Sequence, residues 1–501
     1  MTVHNYLIKW IVAYRTINCF VVQTWFVPDE YWQTLEPAHK LAFGYGYLTW
    51  EWANGLRTYF YPCIFAFLYS LVASAGLDNT IFFIYSPKLL TFLLSCFADW
   101  RLFKFVQLLY GDRVASSTLL LYWCNWFQFY CVPRTLLNSA ELALVIIGLS
   151  YLPISDKHRF QLVSSDNYYH LAVSSIVFTL VTLIRPTSAL IWVPLWINFL
   201  YRFDFVNWVS TFINNVIKKI ITLFFVSVID FLCYGYFVIP IINFIHFNMW
   251  QGGSAFFGSH PWHWYITAGI PSTFFTLLIP ISKGVKKCTS NLIILYVCAL
   301  YVIAHSFIAH KEFRFVLPLI PLMSIYGGFY LSQIRYKLNL AFMILFISIT
   351  NIPLALFTSL LHQRGALTVM DLLRREASEN QNMEMNIWFL MPCHSTPFYS
   401  HLHRPVEMRF LTCEPNLNNI TNYISESDMF HKYPEIWIQS EMRNIRPTHL
   451  VLYENMYQRL QAILTEKGYT KCQKIFHTFF PISKRQSRWI VIARKEMLCY
   501  K

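Results

Sequence analysis

Charge is scarce in this chain of 501 residues: 13% are Asp, Glu, Lys or Arg, 56% are hydrophobic, and the mean hydropathy is +0.40. Soluble domains carry roughly twice that charged fraction, so water is not the main solvent here. The twelve cysteines contain no CxxC pair, which removes the common zinc and redox spacings. There is no Gly-rich nucleotide fingerprint, internal repeat or low-complexity tract, so P-loop and dinucleotide sites and repeat arrays are set aside. Acidic residues number 26 against 40 Lys and Arg, a formal charge of +14. That surplus is spread over short loops and the C-terminal segment, which fits basic cytosolic loops rather than a nucleic-acid surface. The first apolar run, 6–26, lacks a basic leader and a small-residue cleavage site and is expected to stay as a signal anchor.

What the chain has instead is long apolar runs. Segments of roughly 17 to 25 residues, enough to cross ~30 Å of hydrocarbon as helix, recur over about the first 360 positions. Barrel strands would be shorter and alternating, so the expected fold is an α-helical polytopic membrane protein. The runs are 6–26, 58–76, 87–109, 114–132, 135–153, 171–201, 217–245, 263–282, 291–309, 315–333 and 338–360, about eleven spans. Arg185-Pro186 and Pro194 mark 171–201 as broken or as two segments. Compact basic clusters at Lys218-Lys219, Lys283 with Lys286-Lys287, and Arg335 with Lys337 fall on one side, which should be cytosolic. The other, lumenal side receives 27–57, 246–262, 310–314 and everything after about 361. Strict alternation leaves Arg134 on the cytosolic side.

After the membrane module, 1–361, hydropathy falls and charges become frequent. Strand-like runs at Leu450-Val451-Leu452 and Trp489-Ile490-Val491-Ile492 predict a small lumenal α+β domain over 362–501. Asn419-Ile420-Thr421 is a glycosylation sequon, usable only in a lumenal tail. Cys393 and Cys413 can pair there if the tail is lumenal. Most other cysteines, such as Cys63, Cys96 and Cys298, sit in apolar runs as small hydrophobes.

Polar chemistry gathers at the mouths of spans. Pro28-Asp29-Glu30-Tyr31-Trp32 sets two carboxylates beside aromatic rings. It reads either as the cap of an interfacial helix running toward Phe43 or as a general base activated by partial desolvation. Trp50-Glu51-Trp52, after a Gly-Tyr-Gly-Tyr turn, offers ring faces for the C–H side of a sugar and a carboxylate for its hydroxyls, or simply an interfacial belt. His310-Lys311-Glu312-Phe313-Arg314 packs four ionisable groups into five positions. Its cations contradict the positive-inside rule on the lumenal side and are suited to holding a phosphate. His260, Trp262 and His263 lie at another mouth with no carboxylate or cysteine nearby, which favours hydrogen bonding to sugar or phosphate over a metal. Arg134 and Arg185 are buried in apolar sequence, where helix-packing hydrogen bonds are the default and phosphate contact the alternative.

These motifs resemble the dolichol-phosphate-mannose-dependent mannosyltransferases of glycosyltransferase family 22, in the GT-C class. HKEFRF at 310–315 looks like that family's signature, and PDEYWQTLEPAHKLAFGYGYLTWEW at 28–52 its first lumenal loop. FGSHPWHWY at 257–265 and TPFYSHLHRPVEMRFLTCEP at 396–415 are similar to the branch acting on glycosylphosphatidylinositol (GPI) precursors. The resemblance implies an endoplasmic reticulum enzyme that moves mannose, with inversion, from dolichyl phosphate mannose to a two-mannose GPI precursor in an α1,2 linkage. It implies Asp29 as base, with Glu30 orienting it or the acceptor. His310, Lys311 and Arg314 would contact the leaving phosphate, Glu312 would orient them, and Arg134 is a weaker donor-site candidate. Trp50, Glu51, Trp52, His260, Trp262 and His263 would shape the sugar sites. No cofactor is required and a divalent metal is not expected; the partners are the two lipid substrates and the bilayer, with no nucleic acid. A sister enzyme of lipid-linked oligosaccharide assembly, a transporter and a non-catalytic lipid-binding scaffold are the alternatives. Nothing in the sequence indicates an oligomeric state.

Overall fold

A computed structural model describes residues 2–152, 165–201, 205–379, 384–417, 420–443, 445–496 and 499. The sequon at Asn419 and the C-terminal Tyr500 and Lys501 lie outside the described residues. The chain forms two compact units. One comprises Met1–Phe20, Glu51–Cys63 and Tyr85–Ala355, the other Val21–Trp50, Ile64–Ile84 and Leu356–Lys501.

The first unit is helical. Among the described residues, Ile81–Tyr110, Tyr265–Lys287 and Lys337–Glu379 are long and apolar enough to cross a bilayer, the last continuing into the second unit, and shorter apolar helices such as Leu137–Tyr151 and Leu292–Phe307 belong to the first. Lipid, not water, suits their outer surfaces. Leu338, Phe342, Leu345 and Ile349 form an exposed apolar stripe on the helix Lys337–Leu360. Inside, close approach replaces bulk. A side chain at Gly284 would overlap the Tyr326 carbonyl, and one at Gly328 would overlap Thr118, so the helices Asp112–Trp123, Leu278–Lys287 and Leu319–Ser332 pack backbone to backbone. Arg15 and Asp99, both fully buried, form a two-point ion pair at 2.8 and 2.6 Å. Gln128 and Asn18 accept from the same guanidinium, and Trp123 Nε1 donates to Asp99.

The second unit holds a five-stranded sheet in the order β2-β1-β3-β5-β4. Its strands are β1 (Asn386–Leu390), β2 (Glu407–Phe410), β3 (His449–Tyr453), β4 (Tyr469–Phe476) and β5 (Trp489–Lys495). β2, β1 and β3 run parallel, while β5 is antiparallel to both β3 and β4. The strand runs expected at 450–452 and 489–492 lie in β3 and β5. Trp388, Phe430, Trp437, Leu450, Leu460 and Val491 are among the core. Cys393 and Cys413 pair as a disulfide, and Cys472 pairs with Cys499, a bridge whose spacing had not suggested it.

The same unit contains the first loop. Residues 29–43 are helical, through a π-turn at Tyr31–Leu35 and the helix Glu36–Phe43, ended by Gly44 at φ 78°. Asp29, Trp32, Glu36 and His39 follow helical spacing along it, and the last three meet the tail. Trp32 Nε1 donates to the Thr396 carbonyl at 3.0 Å. Glu36 accepts from Phe398 N at 2.8 Å and from Ser400 Oγ at 2.6 Å. His39 Nε2 lies 3.0 Å from His403 Nδ1.

One expected span is corrected, and another resolves into the two segments that Arg185-Pro186 allowed. The helix Phe60–Ser74 leads back to the tail that its preceding loop already touches: His403 Nε2 lies 3.4 Å from Asp78 Oδ2, and Arg374 donates to the Thr80 carbonyl at 2.9 Å. It therefore does not carry the chain across. The segment 171–201 is two helices, Ser165–Ile184 and Ala189–Leu200, separated at Arg185-Pro186. The first change also overturns the placement of Arg134 opposite 310–314, because Asn138, one turn further on, donates to the Arg314 carbonyl at 3.2 Å. Hydropathy registered the apolar stretch 58–76 but not the polar contacts that hold the helix Glu36–Phe43 before it and the turn at Asp78 and Thr80 after it against the tail.

Two predictions follow from this packing. Asp99→Ala leaves the Arg15 guanidinium buried without its carboxylate and is expected to cost about 3–5 kcal/mol, read as early loss of folded protein on heating in detergent. Burial lifts the Glu36 carboxyl from 4.5 to about 7, against the donors from Ser400 and Phe398. Folding therefore retains a proton that the unfolded chain gives up, and the stabilisation present below about pH 4.5 is lost as pH rises through 7. Glu36→Gln copies the neutral form, so the melting temperature of the variant minus that of the parent should grow between pH 5 and 7.5. A constant difference would refute this assignment.

Candidate functional site

In the helical unit, two loops form one polar corner. His260 N donates to the Ala309 carbonyl at 3.0 Å, and Lys311 Nζ donates to the carbonyls of His260 and Ile308 at 2.9 and 2.6 Å. Lys311 is buried, and that burial lowers its pKa. It thus staples the 258–260 turn to the 308–311 turn. Glu312 is gripped by Arg314 through Nε at 2.7 Å and Nη2 at 2.5 Å, and His310 Nε2 stands 2.8 Å from the same carboxylate. Burial alone would raise Glu312, but Arg314 and His310 outweigh it and hold the carboxyl at about 2. The carboxylate is therefore ionised at neutral pH, and with Lys311 and Arg314 the corner keeps a net positive charge.

The walls of this corner are now visible. Phe313 packs on Trp264 at 4.9 Å, and His260 stacks on Trp264 at 5.0 Å. Trp262 and His263 are exposed, with His263 Nδ1 3.2 Å from Thr267 Oγ1. Behind the loop, Arg185 lies over the Phe315 ring at 5.3 Å and pairs with buried Glu141 at 2.8 Å, while Ser188 donates to the same carboxylate. Arg134 is buried, donates through Nε to the Tyr130 carbonyl at 2.9 Å and stacks on the Tyr130 ring at 4.2 Å. Glu51 accepts from Arg57 at 2.7 Å, and Trp52 is buried against Tyr59.

Asp29, Glu30 and Trp50 belong to the other unit. Asp29 is half-buried in the first helical turn, whereas Glu30 and Trp50 are buried. Burial lowers the His394 pKa to about 4, with the nearby Asp29 charge acting in the opposite direction. The imidazole ring meets Trp32 edge-on at 4.6 Å. Among the described residues, the His, Cys and acidic side chains with metal-ligand proximity are Cys393, His394 and Cys413, and those two sulfurs are bonded to each other.

Sequence reasoning passed over Glu36, His39 and His394. Glu36 and His39 carried a signal, the helical spacing from Asp29 and Trp32, but their tail partners lie more than 350 positions away. Asn138 and Glu141 belong to the polar run that begins at Arg134, but the pairing of Glu141 with Arg185 depends on two helices meeting.

Comparison with known proteins agrees with this chemistry. The profile of the Alg9-like mannosyltransferase family matches residues 6–403. A mouse (Mus musculus) protein named "GPI alpha-1,2-mannosyltransferase 3" is 37% identical over 498 residues, covering 98% of this chain and 89% of its own length. A Candida albicans protein named "GPI mannosyltransferase 3" is 31% identical over 500 residues, covering 97% of each chain. Among solved structures, ArnT from Cupriavidus metallidurans bound to undecaprenyl phosphate superposes with a TM-score of 0.60 at 11% identity, covering 97% of both chains, and shares the GT-C fold. The polar corner at 310–315, the helical membrane fold and this agreement over nearly the whole sequence lead to one conclusion: the chain belongs to the Alg9-like mannosyltransferase family.

Proposed function

We propose that the protein transfers mannose from dolichyl phosphate mannose to a GPI precursor already bearing two mannoses, forming an α1,2 linkage. The observation that carries this reading is the 37% identity over 98% of the chain to a relative named "GPI alpha-1,2-mannosyltransferase 3"; the donor and the two-mannose acceptor follow from the family resemblance. A role in lipid-linked oligosaccharide assembly would fit the family match alone, and the names of the relatives favour the GPI pathway.

In the proposed reaction the acceptor hydroxyl oxygen attacks the anomeric carbon as its proton passes to Asp29. The bond from that carbon to the phosphate oxygen breaks, and its electron pair leaves with dolichyl phosphate, inverting the centre. Asp29 suits the role because it is half-buried at the start of a helix that is locked to the tail. Glu30, buried beside it, orients the base or the acceptor. Charge develops on the departing phosphate, where fixed cations lower the barrier. His310, Lys311 and Arg314 are the proposed contacts, with Glu312 holding Arg314 and His310 in place before substrate arrives. His260, Trp262, His263, Trp50, Glu51 and Trp52 border the proposed sugar sites, and Arg134 stiffens the segment beside Arg314.

Residues 362–501 are proposed to form a lumenal domain of an endoplasmic reticulum enzyme. Two disulfides in the tail support an oxidising compartment. Both substrates carry lipid chains, so the apolar outer surface of the helices serves as their approach.

Asp29→Asn is expected to lower transfer in microsomes by about 100-fold or more at unchanged protein abundance; near-normal turnover would remove Asp29 from the role. Cells lacking the protein should accumulate the two-mannose GPI lipid, seen by lipid analysis. Accumulation of a truncated oligosaccharide lipid instead would move the enzyme to the N-glycan pathway.

A further inference from the structure

The tail carries an apolar surface of its own. The connection 477–488 between β4 and β5 exposes Phe479, Phe480, Pro481 and Ile482 in succession, with Phe480 and Ile482 each 68% exposed. A run of large apolar side chains at a loop tip is unfavourable in water and marks a surface that something else covers. We propose that this hairpin tip enters the leaflet into which the span Lys337–Leu360 emerges, so that the tail is anchored on the bilayer at a second point besides its covalent link to that span.

Three observations, all within the second unit, select a lipid surface as the occupant. The tip is continuous with the lipid-facing side of the span. Phe357, in the last turn of that helix, meets Phe479 at 6.3 Å and Phe480 at 6.0 Å, and Leu356 and Leu361 beside it are exposed. A protein partner covering the same rings would have to sit where lipid surrounds the helix. The base of the hairpin is pinned to the chain just after the span. Gly365 lies so close that a side chain there would overlap the Phe476 carbonyl and the His477 backbone, and Thr478 Oγ1 is 3.0 Å from His362 Nδ1. Across the loop, His477 N donates to the Arg488 carbonyl at 2.9 Å. These contacts hold the tip at the level where the helix ends. The charge pattern completes the match. Residues 477–488 include no Asp or Glu, and the apolar tip is followed by the exposed cations Lys484, Arg485 and Arg488, of which Arg485 also reaches Asp428 at 2.7 Å. Rings below and cations at headgroup level are how an interfacial segment grips lipid phosphates. Because Trp32, Glu36 and His39 tie the first-loop helix to the tail, the anchor also fixes the height of that helix relative to the leaflet.

The experiment uses the full-length protein in phosphatidylcholine nanodiscs. A dansyl amino acid replaces Phe480 or, as the water-facing reference, Gln461, which is exposed on the helix Glu454–Glu466. Emission is quenched either by lipid carrying a nitroxide on its acyl chain or by dissolved iodide. Position 480 is expected to dim about 2-fold or more with nitroxide lipid and little with iodide, because insertion by ~5–10 Å sets it at the headgroup–acyl boundary. Position 461 should show the reverse. The same label at Ile482 should repeat the result at 480, and it decides the question if the 480 variant does not accumulate. Iodide quenching at 480 and 482 equal to that at 461 overturns the anchor. Protection of 480 and 482 from both quenchers also overturns it, and assigns the tip to a protein partner or a second copy of this chain.

Discussion

A buried carboxylate with nowhere else to go organises the second unit. Glu36 is fully buried on the helix that begins at Asp29, and its acceptors are met by the backbone and side chain of a segment more than 350 residues later. Burying a carboxyl in this way is unfavourable without donors, so the helix and the tail segment 396–403 are folded together or not at all. Trp32 above and His39 below repeat the connection, one through an indole N–H and one through paired imidazoles. The tail is thereby part of the framework that positions the first loop.

The helical unit solves a related problem in a different way. Its buried ionisable groups sit in an apolar chain, and those around the ion-pair core and the 310–314 corner are tied to an opposite charge or to a carbonyl. Arg15 has Asp99, Arg185 has Glu141, Arg314 has Glu312, and Lys311 has two carbonyls. Partnering lowers the cost of burial and fixes side-chain direction. In the 310–315 corner it also leaves a net positive charge facing a turn rimmed by His260 and Trp264, as the proposed departure of an anionic leaving group requires. The ring of restraints is in place before any substrate is present.

Much of this was legible in the sequence. The density of charge at 310–314, the carboxylates at 29 and 30, the break at Arg185-Pro186 and the strands at 450–452 and 489–492 are local features, and local composition reveals them. The errors came where a local signal was ambiguous. An apolar run at 58–76 has the hydropathy of a span, and only the contacts of Asp78 and Thr80 with the tail show that the chain turns back. Arg134 was misplaced as a consequence, since each crossing inverts the side of those that follow.

The amino-acid order by itself determined the solvent of this protein, the helical character of its first two thirds, the chemical types gathered at each loop and the family they resemble. Those depend on composition and on spacing within a few turns. Which residues face one another was decided only by the tertiary structure: Glu36 with Ser400, Asn138 with Arg314, and Arg185 with Phe315. The physical reason is that a buried polar group must find a partner, but the energy that enforces the match carries no information about how far along the chain the partner lies.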